Sequence, residues 1–381
     1  MLDDTQTAIR DMAAQFAQDR LWPGAEERDR SGAFPREQLS EMGDLGFLGM
    51  LVPEAYGGIE LDTVTYASVV EEIAAGDGTC STILSVHSSV GCGPIVKYGT
   101  DAQKEKYLPK LASGEWIGGF ALTEPQAGSD ASKLRTTAVL DGDHYVMNGS
   151  KQFISSGKNG KLIIVFAVTD KEAGAKGISA FIVETDTPGY EVVRVEEKLG
   201  LHSSDTCQLS FENMRVPKEN LLGAEGEGYK IALANLEGGR IGIASQAVGM
   251  ARKAMELAID YAQERKAFGK EIAQHQAVGF RLADMATKVE AARQLVHHAA
   301  RRRDAGLPAL REASMAKLFA TEMAEEVCSA AMQTFGGYGY LRDYQVERLC
   351  RDVRVSQIYE GTSDIQRLVI SRDLIANPGP R

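Results

Sequence analysis

Apolar residues recur along this chain with a helical period at both ends and a strand-like period in the middle. That switch limits the fold more than any other feature. From the start to about Gly114, Ile9, Met12 and Phe16, then Leu39 and Met42, then Val64 through Ile73 keep the spacing of helices with one buried face. Asp4 or Thr5 is expected to cap the first helix and Asp62 the third, each offering a side-chain oxygen to amides without an intrahelical acceptor. Thr79 to Tyr98 reads as a buried helix, and a short polar helix is expected from Asp101 to near Gly114.

Between about Trp116 and Val216 the pattern changes. Ile163 to Val168 and Ile178 to Val183 are β-branched and aromatic runs bounded by glycine, proline and aspartate, which is the composition of strands. Asp141-Gly142, and Asn148-Gly149 between Tyr145-Val146 and Phe153-Ile154, are pairs that supply the positive φ of tight hairpin turns. Without helices between the strands, an antiparallel sandwich or small barrel is expected rather than a doubly wound sheet. The helical period then returns over Tyr229 to Arg265, Gln274 to Asp304, Ala309 to Thr334 and Thr362 to Ile375, with a short connection at Gly306 and Pro308. Only neighbouring helices can cover stripes that long, so these should form a bundle. A chain of 381 residues exceeds one compact core. The expected fold is therefore α+β, mainly α: an N-terminal helical domain over 1–115, a middle antiparallel β-domain over 116–226, and a C-terminal four-helix bundle over 227–381.

Composition removes several function classes. A formal net charge of −11 disfavours nucleic acid as a partner, because such binding needs a basic face to displace counterions. The run Arg301, Arg302, Arg303 reads as a solvated helix face. Five cysteines without a CxxC pair and six histidines without HExxH spacing argue against a disulfide framework and a metal site. The polar, acidic start lacks the basic and apolar stretches of a signal peptide. No segment approaches about twenty uninterrupted apolar residues, so no membrane span is expected. A reducing cytoplasm fits these features. Neither GxGxxG after a strand nor GxxxxGK[ST] occurs, which disfavours a Rossmann or P-loop cofactor site.

Three stretches combine glycine, hydroxyls and carboxylates without a packing purpose. Phe120 to Asp130 follows a strand and carries Pro125 and Gly128, which would bring backbone close to a ligand; a decorated surface loop is the plain alternative. Gln333 to Tyr340 ends a long helix, and its Gly336-Gly337 pair can be a C-cap and nothing more. In Ile358 to Arg367, Glu360 sits between Tyr359 and Gly361 just before a helix that Thr362 or Ser363 can cap. A loop glutamate is by default a solvated acid. Beside Tyr359 and Ile358 it can also be a part-desolvated one, and desolvation raises basicity.

Together these stretches resemble the acyl-CoA dehydrogenase family over nearly the whole chain. The matching motifs are TEPQAGSD (Thr123 to Asp130), KQFISSG (Lys151 to Gly157), ERKAFGK (Glu264 to Lys270), QTFGGYGY (Gln333 to Tyr340) and IYEGTSDIQR (Ile358 to Arg367). The resemblance implies FAD as cofactor and acyl-CoA as substrate. It implies an electron-transferring flavoprotein as electron acceptor, a homotetramer built as a dimer of dimers, and a setting in fatty acid β-oxidation. Phe120, Ala121, Leu122, Thr123 and Ser129 match the loop lining the flavin, with Ser129 also near the acyl-CoA. Phe153, Ile154 and Ser155 match the segment against the isoalloxazine ring; the family often has tryptophan and threonine where this chain has Phe153 and Ser155. Arg265, Phe268, Gln276, Gln333, Thr334, Phe335, Gly336 and Gly337 match residues reaching the FAD of a neighbouring subunit, and Thr362, Ser363 and Asp364 match residues against the FAD. Glu237, Arg240 and Gly361 match substrate contacts.

Glu360 aligns with the family's catalytic base. Some relatives place the base immediately before the arginine that here is Arg240; this chain has Gly239 there. The implied reaction takes an α-proton to Glu360 and a β-hydride to flavin N5, because no protein side chain accepts a hydride. The thioester oxygen is implied to be held by a ribityl hydroxyl and by the N–H of Glu360, in the manner of an oxyanion hole. The substrate motifs lie nearest short-chain or short branched-chain members. Two rivals remain: a flavin-dependent acyl-CoA oxidase on the same fold, which would release peroxide, and a non-catalytic acyl-binding scaffold, which would be colourless.

Overall fold

The structure, a computed structural model, describes residues 2–377. Its first third is helical: α1 (Asp4–Phe16), α2 (Trp22–Ser31), α3 (Arg36–Asp44), α4 (Thr63–Gly76), α5 (Gly78–Val86), α6 (Gly93–Tyr98) and α7 (Asp101–Ala112). The cap of α1 is Asp3, not Asp4 or Thr5. Its carboxylate accepts from the Gln6 amide at 2.8 Å and the Gln6 side chain accepts from the Asp3 amide at 3.0 Å. Such reciprocity needs a Gln or Glu three residues on, and only Asp3 has one. Asp62 does cap its helix, accepting from the Thr65 amide at 2.7 Å. That helix is α4 rather than the third, because polar α2 buries only Ala25 and Asp29 and leaves no periodic signal. The expected Thr79–Tyr98 helix is α5 and α6, joined through a π-helical turn at His87–Cys92.

The middle of the chain forms β1 (Gly118–Ala121), β2 (Thr137–Asp141), β3 (His144–Ser155), β4 (Leu162–Val168), β5 (Ile178–Glu184), β6 (Tyr190–Val195), β7 (Thr206–Pro217) and β8 (Leu221–Leu222). They hydrogen-bond in the order β6-β7-β3-β2-β4-β5-β8, with β1 on β4. Most neighbours are antiparallel; β1 and β2 meet β4 in parallel. Asp141-Gly142 turns between β2 and β3 as expected. Asn148-Gly149 makes no turn: it lies inside β3, where the pairing with β7 shifts register between Met147 and Gly149. Gly149 takes φ 152 there, and a Cβ would fall 2.5 Å from the Thr136 hydroxyl. The glycine thus serves a bulge and a close approach rather than a hairpin.

Helices return as α8 (Gly228–Glu264), α9 (Gln276–Asp304), α10 (Leu310–Phe335), α11 (Val346–Val353) and α12 (Ser363–Ala376). Helix α11 had no counterpart in the periodicity reading. The seam between α8, α9 and α10 is dominated by alanine, including Ala244, Ala247, Ala251, Ala292, Ala299, Ala313, Ala316, Ala320 and Ala324. Small side chains let these helices approach closely, and Val64, Ala67 and Ala74 of α4 join the same core. Arg252 of α8 and Arg293 of α9 both reach Glu71 of α4. The first and last thirds therefore form one packed body, and the loop Ile358–Thr362 lies along its surface on α8 and α10.

Candidate active site

Glu360 stands in a tight arch between α11 and α12 with its backbone in the left-handed region, φ 51, followed by Gly361 at φ 88. A non-glycine residue there costs about 1–2 kcal/mol and persists only where surroundings impose it. Three side chains impose it. The Lys317 ammonium, two turns into α10, donates to the carbonyls of Tyr359 at 3.0 Å and Gly361 at 2.7 Å. Gln366, one turn into α12, donates to the carbonyls of Glu360 at 3.3 Å and Gly361 at 2.9 Å. The Tyr359 hydroxyl donates to Gln246 of α8 at 2.6 Å, and the Gln246 amide donates to the Gly78 carbonyl at 2.9 Å. Thr362, of the two candidate caps, is the one used: its hydroxyl accepts from the Ile365 amide at 3.3 Å.

The carboxylate itself is the anomaly. Both its oxygens are buried and neither makes a hydrogen bond among the described residues. Burial raises its pKa to about 7, against the downward pull of Lys317 and Arg240. Buried polar atoms are nearly always partnered, so this pair of oxygens has been left for something not of the chain. The Glu360 amide likewise makes no hydrogen bond among the described residues. On the facing helix, Gly239 leaves no room for a side chain: a Cβ there would lie 2.0 Å from Oε2 of Glu360. A side chain at 239 would force the Glu360 carboxylate to withdraw. Arg240 beside it is buried, with Nε and one terminal nitrogen unpartnered, and Glu237 is half-buried.

The loop after β1 and the end of β3 lie together. The Gln152 amide donates to the Thr123 carbonyl at 2.9 Å. Beneath them Lys151, fully buried, donates to Glu124 at 2.9 Å and to the Leu122 carbonyl at 3.2 Å. Burial opposes the Glu124 charge, but Lys151 and the amides of Thr136 and Arg135 outweigh it and hold the carboxyl down at about 2. Lys151 and Glu124, each inside one of the sequence motifs, form the ion pair that ties one motif to the other. Ala121, Leu122 and Ile154 point into the core, so only their backbone can meet a ligand. Phe120 and Ser155 are half-buried and Ser129 is exposed. Phe153 is 63% exposed at φ 60, within the register shift between Lys151 and Ile154. A strained backbone that holds an aromatic face in solvent fits a planar ring stacked on it.

A second group gathers elsewhere. Arg265, Thr334, Phe335, Gly336 and Gly337 line a cavity of 420 Å³. Arg265 lies over the Tyr338 ring at 5.5 Å, and Phe335 stacks on Tyr261 at 4.3 Å. Gly336 caps α10 at φ 63. Gln333 and Gln276 are exposed. Phe268, at the tip of the small hairpin Lys266–Glu271, is 96% exposed at φ 52. This group does not include Glu360. Along α10 the 18 residues from Lys317 to Phe335 span about 27 Å. Asp364 is exposed, while the Ser363 hydroxyl is buried without a partner.

Lys317, Gln366 and Gln246 were not anticipated. Lys317 had a signal: it interrupts the buried alanine stripe Ala313, Ala316, Ala320, Ala324 at helical spacing, where a charge needs a purpose. Among the described residues no group of three or more His, Cys, Asp or Glu could hold a metal ion, and no helix is long and apolar enough to cross a membrane.

Similarity to known proteins runs along nearly the whole chain. The acyl-CoA dehydrogenase N-terminal, middle and C-terminal family models match residues 3–115, 119–214 and 226–375. An acyl-CoA dehydrogenase of Bacillus subtilis (strain 168) is 51% identical, covering 97% of this chain and 98% of its own. A short-chain specific acyl-CoA dehydrogenase of Clostridium acetobutylicum is 47% identical over 96% of this chain and 97% of its own. A chain in the solved structure of the electron transferring flavoprotein of Acidaminococcus fermentans superposes with a TM-score of 0.98 at 49% identity, covering 99% of both. The chain therefore belongs to the acyl-CoA dehydrogenase family of FAD-dependent oxidoreductases.

Proposed function

We propose that the chain converts a short acyl-CoA to its trans-2-enoyl-CoA with Glu360 as the α-proton base and passes the electrons to an electron-transferring flavoprotein. One observation carries this reading: a buried carboxylate with no partner, its pKa near 7, is pressed against a glycine on the opposite helix. A carboxylate of ordinary basicity is too weak for an α-carbon, and burial supplies the missing basicity. Once Glu360 takes the proton, the buried charge disappears, so the dry pocket favours the protonated product of that step. The free amide of Glu360 can donate to the thioester oxygen as enolate charge grows there, and one such donor is worth on the order of 3 kcal/mol. Arg240, buried with unpartnered nitrogens, offers a further polar contact in the pocket.

The residues fit FAD in two sets. Phe120 to Thr123, Ser129, Phe153 to Ser155 and Thr362 to Asp364 would hold it on one protomer. Arg265, Phe268, Gln276 and Gln333 to Gly337 would reach it from a second, which the separation along α10 supports. FAD supplies the hydride acceptor that no side chain can provide. Reach from a second protomer would make an oligomer, a homotetramer by resemblance, part of the site. The short-chain preference and the flavoprotein acceptor rest on the similar proteins of Clostridium and Acidaminococcus. Glu360→Gln tests the base: the variant should keep FAD and bind butyryl-CoA yet lose nearly all anaerobic flavin bleaching. Full bleaching would remove Glu360 from the role.

A further inference from the structure

We propose that Lys317 is a positioning residue for this reaction: by bonding the carbonyls on both sides of Glu360, it holds the left-handed turn that sets the Glu360 carboxylate against Gly239 and keeps its amide free. The inference rests on Glu360 being the base. Between Tyr359 and Gly361 the chain presents three carbonyls, and each is accounted for: Lys317 takes the first and third, and Gln366 takes the second and third. Every carbonyl is thereby drawn towards α10 and α12. The Glu360 amide is left without an acceptor, and the carboxylate is left against Gly239. An arch built this way has its acceptors bonded and its donor and base free.

Lys317 suits this task better than a polar neutral residue. Its ammonium has three donors, two of which the carbonyls use at 2.7 and 3.0 Å. It sits at a core position of α10 with no solvent exposure, so the rest of its stem is packed and the head has little freedom. A buried lysine without a carboxylate bonded to it is costly, and no salt bridge to Lys317 occurs among the described residues. Its charge therefore faces Glu360 through the turn it holds. The groups around Glu360 are Lys317 from α10, Arg240 from α8, and the phenols of Tyr66 from α4 and Tyr359 from the arch itself. Lys317 and Arg240 are the two cations among them, and Lys317 is the one that also bonds the backbone.

The test uses holoenzymes of Lys317→Met, Lys317→Gln and Lys317→Arg beside Glu360→Gln. Each is reduced anaerobically with butyryl-CoA from well below to well above the Glu360 transition. Lys317→Met should slow limiting flavin reduction by about 10²-fold, the scale of a reacting group misplaced by an ångström. Its acid limb should move up by about one pH unit as the facing charge is lost, while FAD content and the butyryl-CoA dissociation constant stay within a few-fold. Lys317→Arg should bring the acid limb back. If Lys317→Met does not fold, the pair Gln and Arg decides by the same comparison. A wild-type rate and acid limb in the neutral variants would overturn the proposal. So would equal acid limbs in Gln and Arg, or a loss of FAD content with the limb unmoved, since those describe a packing role alone. Bleaching of Glu360→Gln would instead sink the base reading; inert Glu360→Gln with wild-type Lys317 variants would sink only this inference.

Discussion

Gly239→Ala should separate stability from catalysis in this protein. Gly239 lies inside the 37-residue helix α8, where alanine is favoured over glycine by roughly 1 kcal/mol. The new Cβ would fall 2.0 Å from Oε2, 2.9 Å from Cδ and 3.3 Å from Oε1 of Glu360. Contacts below 3.0 Å are essentially never seen, so the carboxylate must withdraw by at least 3.0 − 2.0 = 1.0 Å. It is the free end of a side chain with no hydrogen bonds to break, so the fold should lose little. A base displaced by about 1 Å costs about 10² in rate, or about 2.7 kcal/mol of barrier. Purified Gly239→Ala should therefore melt at or above the wild-type temperature. It should bind FAD normally and bleach about a hundredfold more slowly with excess butyryl-CoA in anaerobic stopped flow. A bleaching rate within two-fold of wild type would refute the reasoning, because the contact that defines the pocket wall would then have no mechanical consequence.

Three further outcomes follow from the buried charges. Burial raises the Glu360 pKa from 4.5 to about 7, so the native state holds a proton between those values that the unfolded chain releases. Stability is then lost as pH rises through that window, by up to about 3 kcal/mol at 1.36 kcal/mol per unit. Glu360→Gln should unfold in urea later than wild type at pH 8 and about equally at pH 4; identical curves at both would contradict the shift. The same titration requires flavin reduction to fall off below about pH 7. Lys151→Met strands the Glu124 carboxylate in the core, which costs about 3–5 kcal/mol. A urea midpoint unchanged from wild type would show that the ion pair does not tie the loop to the strand.

The period of the apolar residues was enough to assign helices, strands and helices again, because one-sided burial imposes its spacing on any chain whatever its partners. The loop Phe120 to Asp130 and Glu360 stood out for a different reason: each places polar groups and glycine where packing gives them no use, whereas Phe153 was singled out by the family resemblance alone. Local reading failed where two answers share one local sequence. Asn148-Gly149 suits a hairpin or a bulge equally, and pairing with β7 across the sheet chose the bulge. Asp3 became the cap through a side chain three residues away. Tyr359 and Ile358 pointed to desolvation of Glu360, but the groups that poise it lie far from it along the chain. They are Lys317, 360 − 317 = 43 residues earlier, and Gly239 on a third helix. Burial, donor direction and the room for a Cβ are properties of surfaces that meet only after the helices pack, and no spacing along the chain encodes which surfaces those are.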